Sequence, residues 1–395
     1  MTPASVLAFA PNTWRGQWVN RQYLLSRLAK TRAVVYSTGA WFAWQRGAAD
    51  WRAAPYRGGL ALDAGVQVET APRWILRHAG FQAWDRLALK LHARWLQRQV
   101  SPGGSAYLCM LFHPQFEPYL EHLQAGAVAY HAYDLFEATP GWTDAHEASE
   151  RRLLARADVV TTVSAQIADR LRAKGAKAVH VIPNGVDCAL FDAARTLAVA
   201  PPDDLACIPM PRLGYVGSLH PQVDYGLIAD IAERRPDWHV VLIGDSPAHI
   251  EPRATAALAR CRELANVHLL GGRARLEVPA YLLHMSVNLM PYRLANDTWV
   301  MAGHPLKLYE YLASGRPVVA AALPTLDDER HLLRIASGVD AWIDAIDQAL
   351  VSDDPHQADQ RLAAARTNGW DQRADSLEGL ISQVWQARFG SAPTA

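Results

Sequence analysis

No stretch of eighteen apolar residues occurs in the 395-residue chain, which excludes a helix able to cross a bilayer on its own. A basic region followed by a long apolar segment is also missing at the start, so MTPASVLAFAPNTW reads as the entry to a first β-strand and not as a targeting segment. Cysteine is scarce. Cys109, Cys188, Cys207 and Cys261 lie far apart, which argues against a disulfide framework and a sequence-local zinc site and fits the reducing cytoplasm. Net charge is missing too: 39 lysines and arginines balance 39 aspartates and glutamates, so no overall field calls for nucleic acid or a strongly acidic partner. Neither an Asp-x-Asp pair nor a Gly-x-Gly-x-x-Gly run is found, and no segment is of low complexity.

What is present is apolar residues, half of the chain, patterned in two series whose combined length predicts two domains. In the first, residues 5–10, 33–37, 106–112, 127–133, 159–163 and 179–182 read as strands of one parallel sheet, with helices over 20–30, 115–124, 144–157 and 165–174. After the proline-rich passage 201–211, strands are expected at 212–216, 239–243, 267–270, 287–290 and 317–321, alternating with helices over 225–234, 253–264, 280–284 and 306–313. Two helices, near 357–367 and 370–389, complete the pattern. The expected architecture is α/β, with two Rossmann-like, doubly wound domains facing a cleft. The first would span residues 1–199, a linker 200–211 and the second 212–370, with a helix in 371–395 crossing back to the first.

The most informative segment is GHPLKLYEYLASGRPVVAAALP, residues 303–324. Leu306, Tyr309, Leu312 and Ala313 recur at helical spacing, while Lys307 and Glu310 stand three apart on a neighbouring face. Pro305 suits the first turn, Gly315 ends the helix, and the apolar run after Arg316 reads as a buried strand. A lysine and a carboxylate at the mouth of a strand–helix–strand unit can hold a phosphate and a sugar hydroxyl together. Earlier, LGYVGS ends a strand at Gly217–Ser218, where an absent side chain and a hydroxyl would let backbone N–H groups approach a diphosphate.

Four segments in order carry a family resemblance: ADVVTTVSAQIADRL with VIPNGVD, LGYVGSLHPQVDYGLI, LMPYRLAND and HPLKLYEYLASGRPVV. The chain resembles the GT-B glycosyltransferases, especially the bacterial group-1 (family 4-like) enzymes that build polysaccharides and glycolipids. The resemblance implies a nucleotide-sugar donor site in the second domain formed by Gly217, Ser218, Asp224, Gly244, Tyr292, Asn296, Pro305, Leu306, Lys307 and Glu310. Lys307 would stabilise the leaving nucleoside diphosphate and Glu310 would accept hydrogen bonds from the ribose. Two departures stand out. The first of the two glutamates that many relatives carry is missing near Ala302 or Gly303, and Ser218, Leu219, His220 and Pro221 stand where an arginine or lysine is common.

The first domain would take the acceptor. Asp134 or His131 is the expected acid or base, His113 a further contact, and Trp14, Gly16, Gln17 and Arg21 an acceptor-facing loop in which tryptophan suits a sugar ring and arginine an anionic group. In residues 73–100, Trp74, Phe81, Trp84, Ala88, Leu91 and Trp95 form a stripe with Arg86, Lys90, Arg94 and Arg98 on another side, the pattern either of a domain helix whose stripe faces the core and whose basic side faces water or of a helix resting on anionic lipid. The expectation is therefore a metal-independent, cofactor-free enzyme that moves a sugar from a UDP-sugar to a glycan or lipid-linked acceptor. It would work in the cytoplasm or peripherally at the inner face of the cytoplasmic membrane, without nucleic acid. The alternatives are a nucleotide-sugar epimerase of the same fold and an inactive nucleotide-sugar-binding protein.

Overall fold

Apolar runs separated by helices long enough to return the chain to the same end of a sheet pair as parallel strands. In the computed structural model, which describes residues 5–245, 252–294, 299–352 and 354–390, both series do so. The chain divides into one unit of residues 1–183 with 371–395 and a second of residues 184–370.

Strands of the first unit are β1 (Ser5–Phe9), β2 (Val34–Ser37), β3 (Trp41–Phe42), β4 (Gly59–Asp63), β5 (Val66–Thr70), β6 (Leu76–Arg77), β7 (Tyr107–Leu111), β8 (Ala127–Ala132), β9 (Val159–Thr162) and β10 (His180–Val181). Eight of them form a sheet in the order β10-β9-β8-β7-β1-β2-β5-β4, parallel except for the β4–β5 hairpin. The strand order reverses between β1 and β7, both almost wholly buried, and the carboxyl edge at such a reversal is where open α/β sheets take their ligands. The helix Trp370–Phe389 packs on this unit: Glu378 takes both Nε and Nη2 of Arg32, and Arg388 donates to the Gly126 carbonyl and the Asp158 carboxylate.

Strands of the second unit are β11 (Arg212–Val216), β12 (His239–Ile243), β13 (Val267–Gly271), β14 (Val287–Met290), β15 (Val318–Ala321) and β16 (Arg334–Ala336). All are parallel, in the order β13-β12-β11-β14-β15-β16, with the reversal between β11 and β14. One apolar layer, around Trp238, Ile228 and Trp342, packs on one face, and another, around Leu308, Leu312 and Met285, on the other.

Several expectations need correction. Residues 200–211 are no free linker: the helix Asp203–Ala206 and the buried Leu205 and Ile208 belong to the second unit, and Asp204 is tied to Arg273 and Tyr281. The α-helix expected over 115–124 is a 3-10 helix, Pro114–Glu121, because Pro118 inside it has no N–H to donate. The β4–β5 hairpin and the β3–β6 ribbon were not read at all. The hairpin turn is Ala64–Gly65, with φ of 48° and 81°, and an alanine stands where the asparagine of a hairpin signal would be. Left-handed alanine is strained by about 1 kcal/mol relative to residues that visit this region readily. Ala64→Asn should therefore raise the denaturation midpoint of the protein by an amount equivalent to about 0.5–1 kcal/mol, and an unchanged or lower midpoint in urea would contradict the strain.

Candidate functional site

The second unit gathers its polar side chains where the order of strands reverses. The helix Lys307–Ser314 begins there, after β14 and its loop, and is stopped by Gly315 in the left-handed conformation with φ of 75°. Tyr311, on its inner face, accepts a hydrogen bond from Val216 N–H at 2.9 Å, and its hydroxyl lies 3.3 Å from the Val216 carbonyl. One phenol thereby fixes the helix to the end of β11, which delivers Lys307 over the turn that follows.

That turn has room for the lysine only because of glycine. Gly217 has φ of 137°, and a Cβ there would lie 2.4 Å from Lys307 Cε and 2.6 Å from Nζ. Gly244, at the end of β12, has φ of 154°, and a Cβ there would come within 2.0 Å of the Gly217 carbonyl oxygen. The two glycines thus let the turns after β11 and β12 stack and let the lysine lie across them. The Gly217 N–H is spent on the Ile243 carbonyl at 2.8 Å, whereas the Ser218 N–H has no backbone acceptor among the described residues.

Lys307 Nζ donates to the Tyr292 hydroxyl at 3.2 Å and stands 4.9 Å from the centre of the Tyr215 ring. Burial opposes its charge, but the phenol groups of Tyr215, Tyr292 and Tyr311 more than offset this and hold its pKa above the ordinary lysine value. Among the described residues no carboxylate lies within ion-pair distance of it. Glu310, one turn on, makes no hydrogen bond or ion pair among them either. Burial raises its carboxyl to about 7 against the opposing charges of Lys307 and Arg275, with Asp187 adding to the rise. Arg275 itself pairs with Asp187 at 3.1 Å.

The other expected donor contacts are placed as follows. Leu306 is the N-cap of the helix, and the Pro305 carbonyl accepts from Leu308 N–H. Asp224 caps the helix Tyr225–Arg234, its carboxylate accepting from Leu227 N–H at 3.0 Å, so it is engaged within the fold. Asn296 lies outside the described residues. Tyr215, Tyr311 and Arg275 were missed by the sequence reading. Tyr311 stands four residues after Lys307 on the same helix, a spacing that marks it as a neighbour and was overlooked, whereas nothing in the sequence brings Tyr215 of the LGYVGS segment to the lysine.

In the first unit, Asp134 follows β8, accepts from Leu135 N–H at 2.8 Å and is pushed by burial to about 7. His131 is a correction: it is fully buried within β8, paired with Thr161 Oγ1 at 2.8 Å, and burial with the nearby Arg21 lowers it to about 3, so it does not exchange protons at neutral pH. His113 accepts from Gln115 N–H, packs on Phe136, and is lowered to about 4 by burial and by His146. Trp14 is no exposed plate; it is buried edge-on against Tyr36. Gly16 and Gln17 are exposed, and Arg21 is buried beside Tyr133.

Residues 210–352 match a family described as glycosyl transferases group 1, and residues 115–190 match glycosyltransferase family 4. A putative teichuronic acid biosynthesis glycosyltransferase, TuaH of Bacillus subtilis strain 168, is 31% identical over 186 residues, 45% of this chain and 44% of that protein. The chain thus matches less than half the length of this curated relative. Among solved structures, sucrose-phosphate synthase from Thermosynechococcus elongatus superposes with a TM-score of 0.71 at 16% identity, covering 97% of this chain and 100% of that one. HepE of Anabaena, in complex with UDP and glucose, gives 0.66 at 14% identity, covering 96% and 99%. The fold is GT-B, and the sequence resembles the group-1 glycosyltransferases.

A carboxyl raised in the folded state binds a proton that the unfolded chain has lost. Stability linked to Glu310 is therefore fully present below its unfolded pKa near 4.5 and declines as pH rises to about 7. Glu310→Gln should flatten that decline, on the order of 1–3 kcal/mol, between those two pH values. Parallel pH profiles of denaturation midpoints for the two proteins check this, and an equal slope in both would contradict the raised Glu310 carboxyl.

Proposed function

We propose that the chain is a glycosyltransferase that moves a sugar from a nucleotide-diphospho-sugar, a UDP-sugar first among them, to a glycan or lipid-linked acceptor in polysaccharide or glycolipid assembly. The observation that carries this reading is the Lys307 ammonium, paired with no carboxylate among the described residues and lying across Gly217 at the strand-order reversal and at the start of a helix. In the reaction the acceptor oxygen bonds to the anomeric carbon while the bond from that carbon to the diphosphate oxygen breaks. Negative charge grows on the diphosphate. Lys307 and the helix N-terminus meet that charge more strongly in the transition state than in the ground state. Glu310 is assigned to the ribose hydroxyls. Asp134, with its carboxyl near 7, is the proposed proton acceptor for the acceptor hydroxyl. The UDP bound to HepE and the pathway in the name of TuaH support the donor and the class of product.

Lys307→Ala should lower kcat by about 10²-fold or more with the fold retained, and an unchanged kcat/KM would remove Lys307 from the mechanism. Glu310→Ala should act mainly on KM and nucleotide affinity. Because a lysine and a helix terminus supply the positive charge, transfer is proposed to need no divalent ion; loss of activity in EDTA that magnesium or manganese restores would overturn this.

The first unit also supports peripheral contact with an anionic bilayer. The helix Gln82–Val100 buries Ala88, Leu89, His92, Ala93 and Leu96, so the expected stripe is corrected: Ala88 faces the core, Leu91 and Trp95 are half-buried, and Trp74, Phe81 and Trp84 are exposed. Trp44, 69% exposed and stacked on Phe42 in the β3–β6 ribbon, adds a further aromatic. Arg86, Lys90, Arg94 and Arg98 are exposed on the same helix. Among the described residues no helix is long and apolar enough to cross a membrane. We place the protein at the inner face of the cytoplasmic membrane, where each basic residue near the surface contributes about 1 kcal/mol. It should sediment with anionic vesicles, less so in high salt. Changing the four basic residues to glutamine should leave it in the supernatant. Equal binding to neutral vesicles would contradict the proposal.

A further inference from the structure

A buried guanidinium without an anion is costly, because its hydration is lost and nothing replaces it. Arg21 has no such anion among the described residues; the phenols of Tyr36 and Tyr133 hydrogen-bond with it but carry no charge. Arg21 is 2% exposed, its Nε and Nη1 are buried without a hydrogen-bond acceptor, and among the described residues no carboxylate pairs with it. Its neighbours are neutral: the guanidinium stands 5.0 Å from the centre of the Tyr133 ring, and it partly offsets the rise that burial imposes on the Tyr36 phenol. Asp134, the next residue after Tyr133, does not compensate it. That carboxyl is raised to about 7 by burial, relieved by the Leu135 N–H alone.

A second donor nearby is also without an acceptor. Trp14 Nε1 is buried and unpartnered, and its ring packs against Tyr36 at 5.0 Å. The Tyr36 hydroxyl, in turn, donates to the Asn12 carbonyl at 2.5 Å, so residues 11–19 lie over this corner; apart from Trp14 and the half-buried Trp18 and Val19 they are exposed. Arg21 sits in the first turn of the helix Asn20–Leu28, where the helix dipole adds to the positive potential, beside the strand-order reversal at β1. Two arginine donors and an indole donor, all unaccepted, define a place for an oxyanion.

We infer that the acceptor carries an anionic group, a carboxylate or a phosphate on a sugar, and that Arg21 binds it. This rests on reading the chain as a glycosyltransferase whose first unit takes the acceptor. Arginine suits both groups, because its fork matches two oxygens of either.

The test uses the full chain, with binding followed by calorimetry and thermal shift for glucuronate, glucose 6-phosphate, inorganic phosphate, glucose and UDP. Glucuronate or glucose 6-phosphate should bind and raise the melting temperature where glucose does not. The stronger of the two identifies the oxyanion. Arg21→Met should weaken that binding at least tenfold, leave UDP binding unchanged, and keep or raise the melting temperature, since it removes an uncompensated buried charge. Arg21→Lys, which retains the charge without the fork, should bind with intermediate affinity and supports the assignment if the methionine variant does not fold. The inference is overturned if neither anionic sugar binds, if both bind Arg21→Met as well as the wild type, or if inorganic phosphate binds as tightly as glucose 6-phosphate. A wild type that binds UDP but no anionic sugar leaves the donor reading intact; one that binds an anionic sugar through Arg21 but not UDP overturns the donor reading alone.

Discussion

The second unit is organised around keeping one ammonium charged in a confined place where, among the described residues, no carboxylate neutralises it. Lys307 is held by the faces and hydroxyls of tyrosines, which favour a cation yet leave its charge available to an incoming anion. A paired lysine would have to break an ion pair before meeting a phosphate. The surrounding geometry follows from this. Gly217 has no side chain because the lysine occupies that space, Gly244 has none because the Gly217 carbonyl does, and Tyr311 ties the helix to β11 so that the lysine cannot drift.

Burial sorts the titratable groups of both units in a consistent sense. Carboxyls at the carboxyl edges of the sheets, Glu310 and Asp134, are pushed up toward neutrality, while the histidines that sequence spacing makes attractive, His113 and His131, are pushed down. Near neutral pH the carboxyls can gain or lose a proton and the histidines stay neutral. His113 and His131 are thus packing residues that accept or share one hydrogen bond, whereas Asp134, three residues after His131, has the responsive proton.

The fold was legible because parallel strands buried on both faces are continuous apolar runs, and these two sheets follow the runs closely. Lys307, Glu310 and Gly217 were legible for a different reason: each sits where a strand ends and a helix begins, a position that spacing reveals. Tyr311, one helical turn after Lys307, could have been found by its spacing, but Tyr215 was not legible, since it meets the lysine from a strand nearly a hundred residues earlier in sequence. Nor could the sequence show that the Gly217 N–H is already spent, or that Trp14 faces inward. The β4–β5 hairpin went unread because Ala64 hides its turn. The helix Val339–Val351 went unread although Trp342, Ala345, Ile346 and Ala349 mark its buried face plainly.

The return of the helix Trp370–Phe389 to the first unit makes the second unit an insertion within the first. During synthesis the sheet β1 to β10 emerges early, yet the partners of Arg32 and Gly126 arrive only after all of residues 184–370 have been made. Until then the surface around Arg32 and Gly126 lacks the cover that this helix gives it. The second unit can close on its own, since its entering and leaving strands meet at the Val186–Gly369 bridge, where Trp370 N–H donates to the Val186 carbonyl. The unit begun second is thus the first to have all of its residues made.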